Sequence, residues 1–325
     1  MTPQETLAWE AEHRQRAGIA AFAAAGCTFL GVVLTTVGQP SSSKFDDKIL
    51  NVVDSMANTA AGRPNPPGRI SAYAVDVGQH PGLPIAGAVI YGIGSLAIFF
   101  ALAYLFRATR DRKPEFPQLA LILAAVGAVG FGAGRAVSEV ARYVGAAGFV
   151  DAADKSNSAA TDALSPTATL AGQIIWEFCA LLLGVALILI ALNAMRVGLL
   201  SRFMGILGMI VGVTVAPILP LDQQGIIRIF WFGALGFLII GRWPQIPPAW
   251  TTGQAEPWPS QQQLREQREA ARGEGGPPAP AKQPRAERKP PAAPPPTPPR
   301  PRRPEPAAAG EPHSASKKKK RKRRS

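Results

Sequence analysis

The sequence has few of the residues that disulfides and metal centres require. Only two cysteines occur among its 325 residues, Cys27 and Cys179, and both lie inside apolar runs with no second cysteine or histidine at ligand spacing. The three histidines, His13, His80 and His313, fall in separate polar segments. These residues predict two buried free thiols, with no disulfide and no metal site.

The motifs of soluble enzymes are absent as well. The sequence contains no GxxxxGK[ST] phosphate loop, no HExxH zinc motif and no GxSxG nucleophile turn. We therefore expect no catalytic residue, no metal and no cofactor, and a protein that is not an enzyme.

Charge and proline are distributed unevenly along the chain. The segment from Arg242 to the C-terminus holds 19 lysines and arginines against seven glutamates, and 20 of the 32 prolines. The preceding residues are nearly neutral and contain almost all the aliphatic side chains. The chain is thus predicted to combine one apolar domain with one basic appendage.

Six segments approach the length of about 20 apolar residues that a helix needs to cross a bilayer. The predicted fold class is therefore all-α, an integral membrane bundle of about six transmembrane helices with a disordered cytosolic tail. A cytosolic N-terminal segment covers residues 1–16, and the transmembrane domain covers residues 17–243. The last two spans are short, so a re-entrant hairpin is the alternative for that pair. The predicted spans are residues 17–37, 84–106, 117–137, 170–195, 203–219 and 225–241.

The short loops predict the orientation of these spans. On the side of the N-terminus they carry basic residues, whereas the other side holds Lys155 among Asp151, Asp154 and Asp162. The positive-inside rule then places both termini in the cytosol of a bacterial cytoplasmic membrane. The first span is too long for a signal-peptide core and lacks an A-x-A site, so we expect it to stay uncleaved. The basic residues on the N-terminal side are Arg14, Arg16, Arg107, Arg110, Arg112, Lys113, Arg196 and Arg202.

The long external loop, residues 38–83, contains one amphipathic stretch. Its apolar residues share one helical face. Two interpretations stay open: a packed surface loop, and a short helix on the bundle or on the outer leaflet. An irregular turn is predicted at residues 65–68. Within the spans, two GxxxG pairs predict close helix packing. The apolar loop residues are Phe45, Ile49, Val52, Val53 and Met56, and the glycine pairs are Gly130 with Gly134 and Gly208 with Gly212.

Ionisable residues at membrane depth form a candidate polar cluster near the external end of the bundle. Three of them follow one stripe of the third span, since their i, i+4, i+7 spacing keeps them within about 60° of arc. We expect Arg135 and Glu139 to form a buried network with Glu177 of the fourth span. Three interpretations stay open: ion pairing or a helix that continues into external water, an outward-facing cavity for a small ligand or ion, and a catalytic site. The cluster consists of Arg135, Glu139, Arg142, Glu177, Asp222 and Arg228.

Residues 244–325 are predicted to be disordered, because a Pro-rich segment with so few large apolar side chains cannot offset the entropy of folding. Three interpretations of its terminal basic run stay open: binding to anionic lipid of the inner leaflet, binding to nucleic acid without sequence preference, and a role in topology and solubility only. The run consists of Lys317, Lys318, Lys319, Lys320, Arg321, Lys322, Arg323 and Arg324.

Several segments together resemble a known family. The stretch RVGLLSRFMGILG at residues 196–208, GRWP at 241–244, PPAW at 247–250, EPWPS at 256–260 and REQR at 265–268 are similar to an uncharacterised family of actinobacterial multi-pass membrane proteins with a Lys/Arg-rich tail. The Arg–Glu pair in the third span is similar to that of six-helix bacterial membrane proteins of unknown function, although their spacing is i, i+3. The resemblance implies no activity. We expect an interaction or anchoring protein, with a solute or ion transporter or channel as the alternative.

Overall fold

The computed structural model describes residues 2–40, 52–63, 68–216 and 225–257, together with residue 269. Residues 1–264 form one compact unit and residues 265–325 a second, of which only residue 269 is described. No strand occurs in the described part of the chain. The helices are α1 (Pro3–Val37), α2 (Val52–Ala60), α3 (Arg69–Gln79), α4 (Gly82–Arg112), α5 (Leu119–Val150), α6 (Asn157–Leu164), α7 (Thr167–Arg196), α8 (Arg202–Val215), α9 (Ile226–Ile239) and α10 (Ala249–Thr252).

Four helices are long and apolar enough to cross a membrane. Helices α1, α4, α5 and α7 have 35, 31, 32 and 30 residues, and at 1.5 Å per residue each exceeds the hydrocarbon thickness of about 30 Å. Helices α8 and α9 are also apolar but have 14 residues each. The predicted class, an all-α membrane bundle, is confirmed.

The long helices alternate in direction between two ends of the bundle. The terminal face, as we call one end, carries the start of α1, the end of α4, the end of α7 and α10. The opposite face carries the end of α1, the start of α4, the end of α5 and the helices α3 and α6. Helix α1 begins at Pro3 with a Thr2–Glu5 capping box, so residues 3–16 extend the first predicted span as one continuous helix.

Glycines bring neighbouring helices into backbone contact. A Cβ atom added at Gly134 of α5 would lie 2.5 Å from the Trp176 amide nitrogen of α7, and one at Gly212 of α8 would lie 2.6 Å from the Gly184 carbonyl oxygen. A Cβ at Gly130 would clash with Cys179, and one at Gly208 with Trp231. The packing role predicted for both GxxxG pairs is confirmed.

Helix α8 starts at the terminal face and α9 ends there. A Cβ at Gly184 would lie 3.6 Å from Ala216, just past the end of α8. Gly184 precedes the end of α7 by 12 residues, which corresponds to about 18 Å of helix. Residues 217–224 join the two helices and lie outside the described residues, so full crossing and a re-entrant hairpin both stay predictions.

The opposite face is covered by a small helical cap. Ala74 of α3, Phe149 at the end of α5 and Ala160 of α6 form one buried cluster, and the Ser71 amide donates to Asn157 Oδ1 at 3.2 Å. The sequence analysis placed only loops at α3 and α6, because helices of 11 and eight residues have too few apolar positions to show a clear period.

Helix α2 covers the later part of the amphipathic stretch, for which the sequence leaves both a packed surface loop and a short surface helix open. It includes Val52, Val53 and Met56, whereas Phe45 and Ile49 lie outside the described residues. Met56 is 67% exposed, so this side chain does not pack into the core of the bundle.

The predicted start of the disordered tail, residue 244, is too early. Residues 244–257 continue over the terminal face, where α10 buries Ala249 and Trp250. Composition failed here because the segment is held by a few specific contacts, among them the buried and hydrogen-bonded Trp250, and not by an apolar run. We call residues 247–257 the docked segment. The tail beyond it, apart from residue 269, lies outside the described residues.

Candidate functional site

Arg135 lies between two aromatic rings near the opposite face. Its guanidinium is 4.6 Å from the centre of the Tyr91 ring of α4 and 5.4 Å from that of Trp176 of α7. Gly134 makes this possible, because its missing side chain lets α7 approach until Trp176 reaches Arg135. Among the described residues Arg135 forms no ion pair, and its Nε atom is buried without a hydrogen-bond partner.

Arg228 of α9 contacts the same tyrosine. It is 5% exposed, its Nη2 donates to the Tyr91 hydroxyl at 2.6 Å, and its guanidinium lies 5.3 Å from the centre of the Phe131 ring. Tyr91 thus contacts both arginines. The structure therefore brings together two members of the predicted cluster through a ring that the sequence analysis did not single out.

The carboxylates of the cluster are arranged differently from the prediction. Glu139 pairs with Arg142 one turn away at 3.7 Å, and Glu177 accepts a hydrogen bond from Gln173 at 3.1 Å. Within the described ranges neither Arg135 nor Glu139 pairs with Glu177, so the predicted three-residue network is not formed. Glu139 lies in the second half of α5, which continues to Val150, beyond the predicted span. Asp222 lies outside the described residues.

This aromatic and cationic arrangement favours anions over metal ions. Arginine offers planar hydrogen-bond donors and no acceptor, and Trp176 adds a buried Nε1 donor without a partner among the described residues. No group of three or more metal-ligating side chains occurs in the described part of the chain. The two cysteines are free thiols, with Cys179 buried and Cys27 partly buried.

The terminal face contains a second polar cluster, which the sequence analysis missed. Arg112 of α4 donates from Nη2 to Glu10 Oε2 of α1 at 3.1 Å and from Nη1 to Oε1. The two side chains are 0% and 5% exposed. Arg112 Nη2 also donates to the Ala249 carbonyl oxygen at 2.6 Å, and its guanidinium lies 5.8 Å from the centre of the Trp250 ring. One buried arginine thus fastens α1, α4 and the docked segment.

The docked segment is held again by the turn between α7 and α8. Glu256 donates its amide to the Val197 carbonyl at 3.1 Å, and Trp250 Nε1 donates to the Leu199 carbonyl at 2.8 Å. Gly198 has a φ of +83°, and a Cβ there would overlap the Glu256 carbonyl oxygen. This turn and the docked segment are two of the stretches that carry the family resemblance, and here they contact each other.

Sequence reasoning could not find the buried pair, because Glu10 and Arg112 are about a hundred residues apart. Each residue alone looks like an ordinary charge at the edge of a span. The available signal was the tryptophan of the PPAW stretch, a large apolar side chain in a Pro-rich segment that otherwise has few.

Four long apolar helices, two shorter ones and a polar helical cap define a multi-pass helical membrane protein. Residues 56–220, from α2 through the end of α8, match the family model described as a Domain of unknown function (DUF4386). Because this match covers half of the chain, the chain belongs to that family. The family description names no activity. No curated protein and no solved structure matches the chain.

Proposed function

We propose that this chain is a non-enzymatic anchoring protein of a bacterial cytoplasmic membrane, with both termini in the cytosol, whose polybasic tail binds anionic lipid of the inner leaflet. The resemblance to actinobacterial membrane proteins supports the choice of a bacterial membrane, but it implies no activity. The observation that carries the proposal is the docked segment, which holds the beginning of the tail against the terminal face.

The charges at the two ends of the bundle support the orientation. The terminal face carries the basic ends of α4 and α7, with Arg110, Arg112 and Arg196 in their last turns. At the opposite face Lys155 donates to backbone carbonyls at the end of α5. By the positive-inside rule the terminal face is the cytosolic one.

The docked segment fixes the point on the terminal face from which the basic run can extend. About 60 residues separate Glu256 from Lys317, a length that corresponds to roughly 45 Å in a random coil. The run can therefore return to the membrane surface from which the tail starts. Each lysine or arginine near an anionic surface contributes about 1 kcal/mol, and this attraction decays within a Debye length of about 8 Å at physiological salt.

The test uses the full-length protein reconstituted in nanodiscs of neutral lipid. Binding is measured to anionic vesicles, neutral vesicles and duplex DNA at low and physiological salt. We expect salt-sensitive binding to anionic vesicles, lost when residues 317–324 are changed to glutamine. A matched variant with glutamine at Arg265, Arg268 and Arg272 should keep it. No binding at low salt, or tighter binding to DNA than to anionic vesicles, would contradict the proposal.

A second candidate function is solute or ion transport through the cluster at the opposite face. It is favoured by the buried Arg135 Nε and Trp176 Nε1 atoms, which have no hydrogen-bond partner among the described residues. Flux of chloride and of small carboxylates into proteoliposomes, compared between wild type and Arg135→Gln, tests it. Equal flux in the two proteins and in protein-free liposomes would exclude this candidate.

A further inference from the structure

Helices α1 and α4 leave an apolar groove in the half of the bundle next to the terminal face. The groove has a volume of about 670 Å³. Small side chains line it, Ala17 and Ala20 from α1 and Ala97 from α4, while larger ones such as Ile93 and Phe100 border it. We propose that this groove binds an acyl chain of an anionic phospholipid from the inner leaflet, with the lipid phosphate on Arg16.

The length of the groove fits a single leaflet. Its lining on α4 runs from Ile93 to Tyr104, a rise of about 16 Å at 1.5 Å per residue. The hydrocarbon core is about 30 Å thick, so one leaflet contributes about half of that. The groove thus extends from the interface to near the midplane, which is the depth that one acyl chain occupies.

Aromatic residues mark the interfacial end of the groove. Trp9 stacks on Tyr104 with ring centres 5.4 Å apart and on His13 with centres 4.7 Å apart, and all three line the groove. Tryptophan and tyrosine are enriched at the level of the lipid head groups. An occupant whose chain lies deeper in the groove therefore has its head group beside these rings.

Arg16 supplies the charge for an anionic head group. It lies seven residues, or about 10 Å, along α1 from Trp9, and its long side chain covers part of that distance because helical side chains lean towards the helix N-terminus. Arg16 lines the groove, is exposed, and has no ion pair or hydrogen bond among the described residues. The Arg107 guanidinium lies 5.5 Å from the centre of the Trp9 ring. Glu12 is the acidic neighbour, 4.0 Å from His13 Nδ1, and its side chain is 77% exposed. Arginine presents donors that match a phosphate.

A concave site also distinguishes this lipid from the surrounding bilayer. A chain on a convex helix surface contacts protein on one side, whereas a chain in a groove gains dispersion contacts from several sides. The lipid position rests on the proposed orientation and anchoring function, but the groove and the tail are separate parts of the chain and can be changed independently.

The experiment is native mass spectrometry of the full-length protein in mild detergent, with phosphatidylglycerol and phosphatidylcholine of identical acyl chains as probes. It is performed with the wild-type tail and with residues 317–324 changed to glutamine. In both backgrounds we expect one retained lipid with a preference for phosphatidylglycerol. Arg16→Gln should reduce that preference about fivefold, the equivalent of about 1 kcal/mol for one basic residue at an anionic surface.

Filling the groove tests the position of the chain. Ala20→Phe should remove both lipids, while Val126→Phe, at a half-exposed site on α5, should remove neither. Ala97→Leu is the second groove variant, and thermal unfolding checks that each variant is folded.

Retention of lipid in both folded groove variants, or an unchanged preference in Arg16→Gln, would overturn the proposal. A dimer mass that disappears on filling would also overturn it, since a second copy would then occupy the groove. Loss of binding only when the tail is neutralised would assign the lipid to the tail.

Discussion

Arg112 lies where α1, α4 and the docked segment meet, and its side chain has no exposure to solvent. A buried ion pair is weak evidence for stability, because taking both charges out of water costs free energy that their attraction must repay. Removing one partner is different, since it leaves the other charge buried and uncompensated. The carbonyl oxygen of Ala249 would lose its donor as well.

We therefore expect Arg112→Gln to lower the free energy of unfolding by about 3–5 kcal/mol. The matched control is Arg107→Gln on the same helix, because Arg107 pairs with Asp111 at 3.1 Å while 49% exposed. An exposed pair of this kind contributes about 0–1 kcal/mol. Thermal unfolding in detergent micelles at neutral pH measures both changes. Equal losses in the two variants would mean that the Glu10–Arg112 pair is not buried in solution.

Glu10 adds a pH dependence to the terminal face. Burial raises the pKa of the Glu10 carboxyl above its usual value, and the hydrogen bond and charge of Arg112 offset only part of this effect. The folded state thus binds the proton more tightly than the unfolded state. Its contribution to stability is fully present below the unfolded pKa and is lost as pH rises through the folded one.

The expected result is that wild type loses stability relative to Glu10→Gln as pH rises from the ordinary glutamate pKa through the raised one. The difference should level off once the carboxyl is ionised in both states. Unfolding temperatures of the two proteins across this range, in the same detergent, provide the measurement. Parallel pH profiles would show that the Glu10 pKa is the same in the folded and unfolded states.

Helices α5 and α7 pack closely around glycine. A Cβ at Gly134 would lie 2.5 Å from the Trp176 amide nitrogen and 2.7 Å from the Gly172 carbonyl oxygen. Both are backbone atoms, so a side chain cannot rotate away to relieve the clash. The two helices would have to separate, and the contact of Trp176 with Arg135 would change with them.

Gly134→Ala should therefore destabilise the protein by about 1–3 kcal/mol, the usual cost of overpacking. Gly148→Ala is the control on the same helix, because nothing lies within 4 Å of a Cβ at that position. The control should be neutral or stabilising by up to about 1 kcal/mol, since alanine favours the helix over glycine. Both are measured by thermal unfolding, and destabilisation of equal size in the two would contradict the close approach of α5 and α7.

The turn between α7 and α8 depends on Gly198 for two reasons, its φ of +83° and its contact with Glu256. We expect Gly198→Ala to release the docked segment, detected as faster proteolysis after residue 242. Gly62→Ala separates the two effects, because Gly62 has a φ of +64° but nothing within 4 Å of a Cβ. That variant should show only backbone strain, about 1–2 kcal/mol. Equal proteolysis in both variants would mean that Gly198 does not hold the docked segment.

The elements that sequence could predict are those decided by composition over many residues. Helices α4 and α7 are long apolar runs, and the requirement for internal hydrogen bonding in a bilayer leaves them one conformation. Helices α3 and α6 and the docked segment are short and mixed in composition. Their structure depends on burial against other elements, as Trp250 shows, and a local pattern does not contain that information.

At the scale of the molecule, the same distinction applies to the polar cluster. The shared depth of Arg135 and Arg228 could be read from the spans, and both indeed contact Tyr91. The partners of Arg135 could not be predicted from the sequence, because the rotation of α7 about its axis decides whether Glu177 or Trp176 faces Arg135. That rotation is set by glycine contacts between helices, which helical spacing alone does not reveal.

The orientation of the whole molecule is open to a direct test. A reporter that is active only outside the cytosol, inserted after Gly62, should be active, since this turn follows α2 in the predicted external loop. The same reporter fused after residue 325 should be inactive, because the positive-inside rule predicts that the basic loops of the terminal face stay in the cytosol. The reverse pattern of activity would show that the terminal face lies outside the cytosol. Neither proposal could then involve lipid of the inner leaflet.

The docked segment also has a consequence for the order in which the molecule is assembled. A chain is synthesised from its N-terminus, so Glu10 and Arg112 enter the membrane region long before Ala249 and Trp250 exist. The contacts of Arg112 with the Ala249 carbonyl and of Trp250 with Leu199 can therefore form only after the last helix has been inserted. Until then the charged end of Arg112 lacks one of its acceptors. The docking of residues 249 and 250 is therefore the step that completes the hydrogen bonds of Arg112, and a chain that ends before residue 249 lacks both of these contacts.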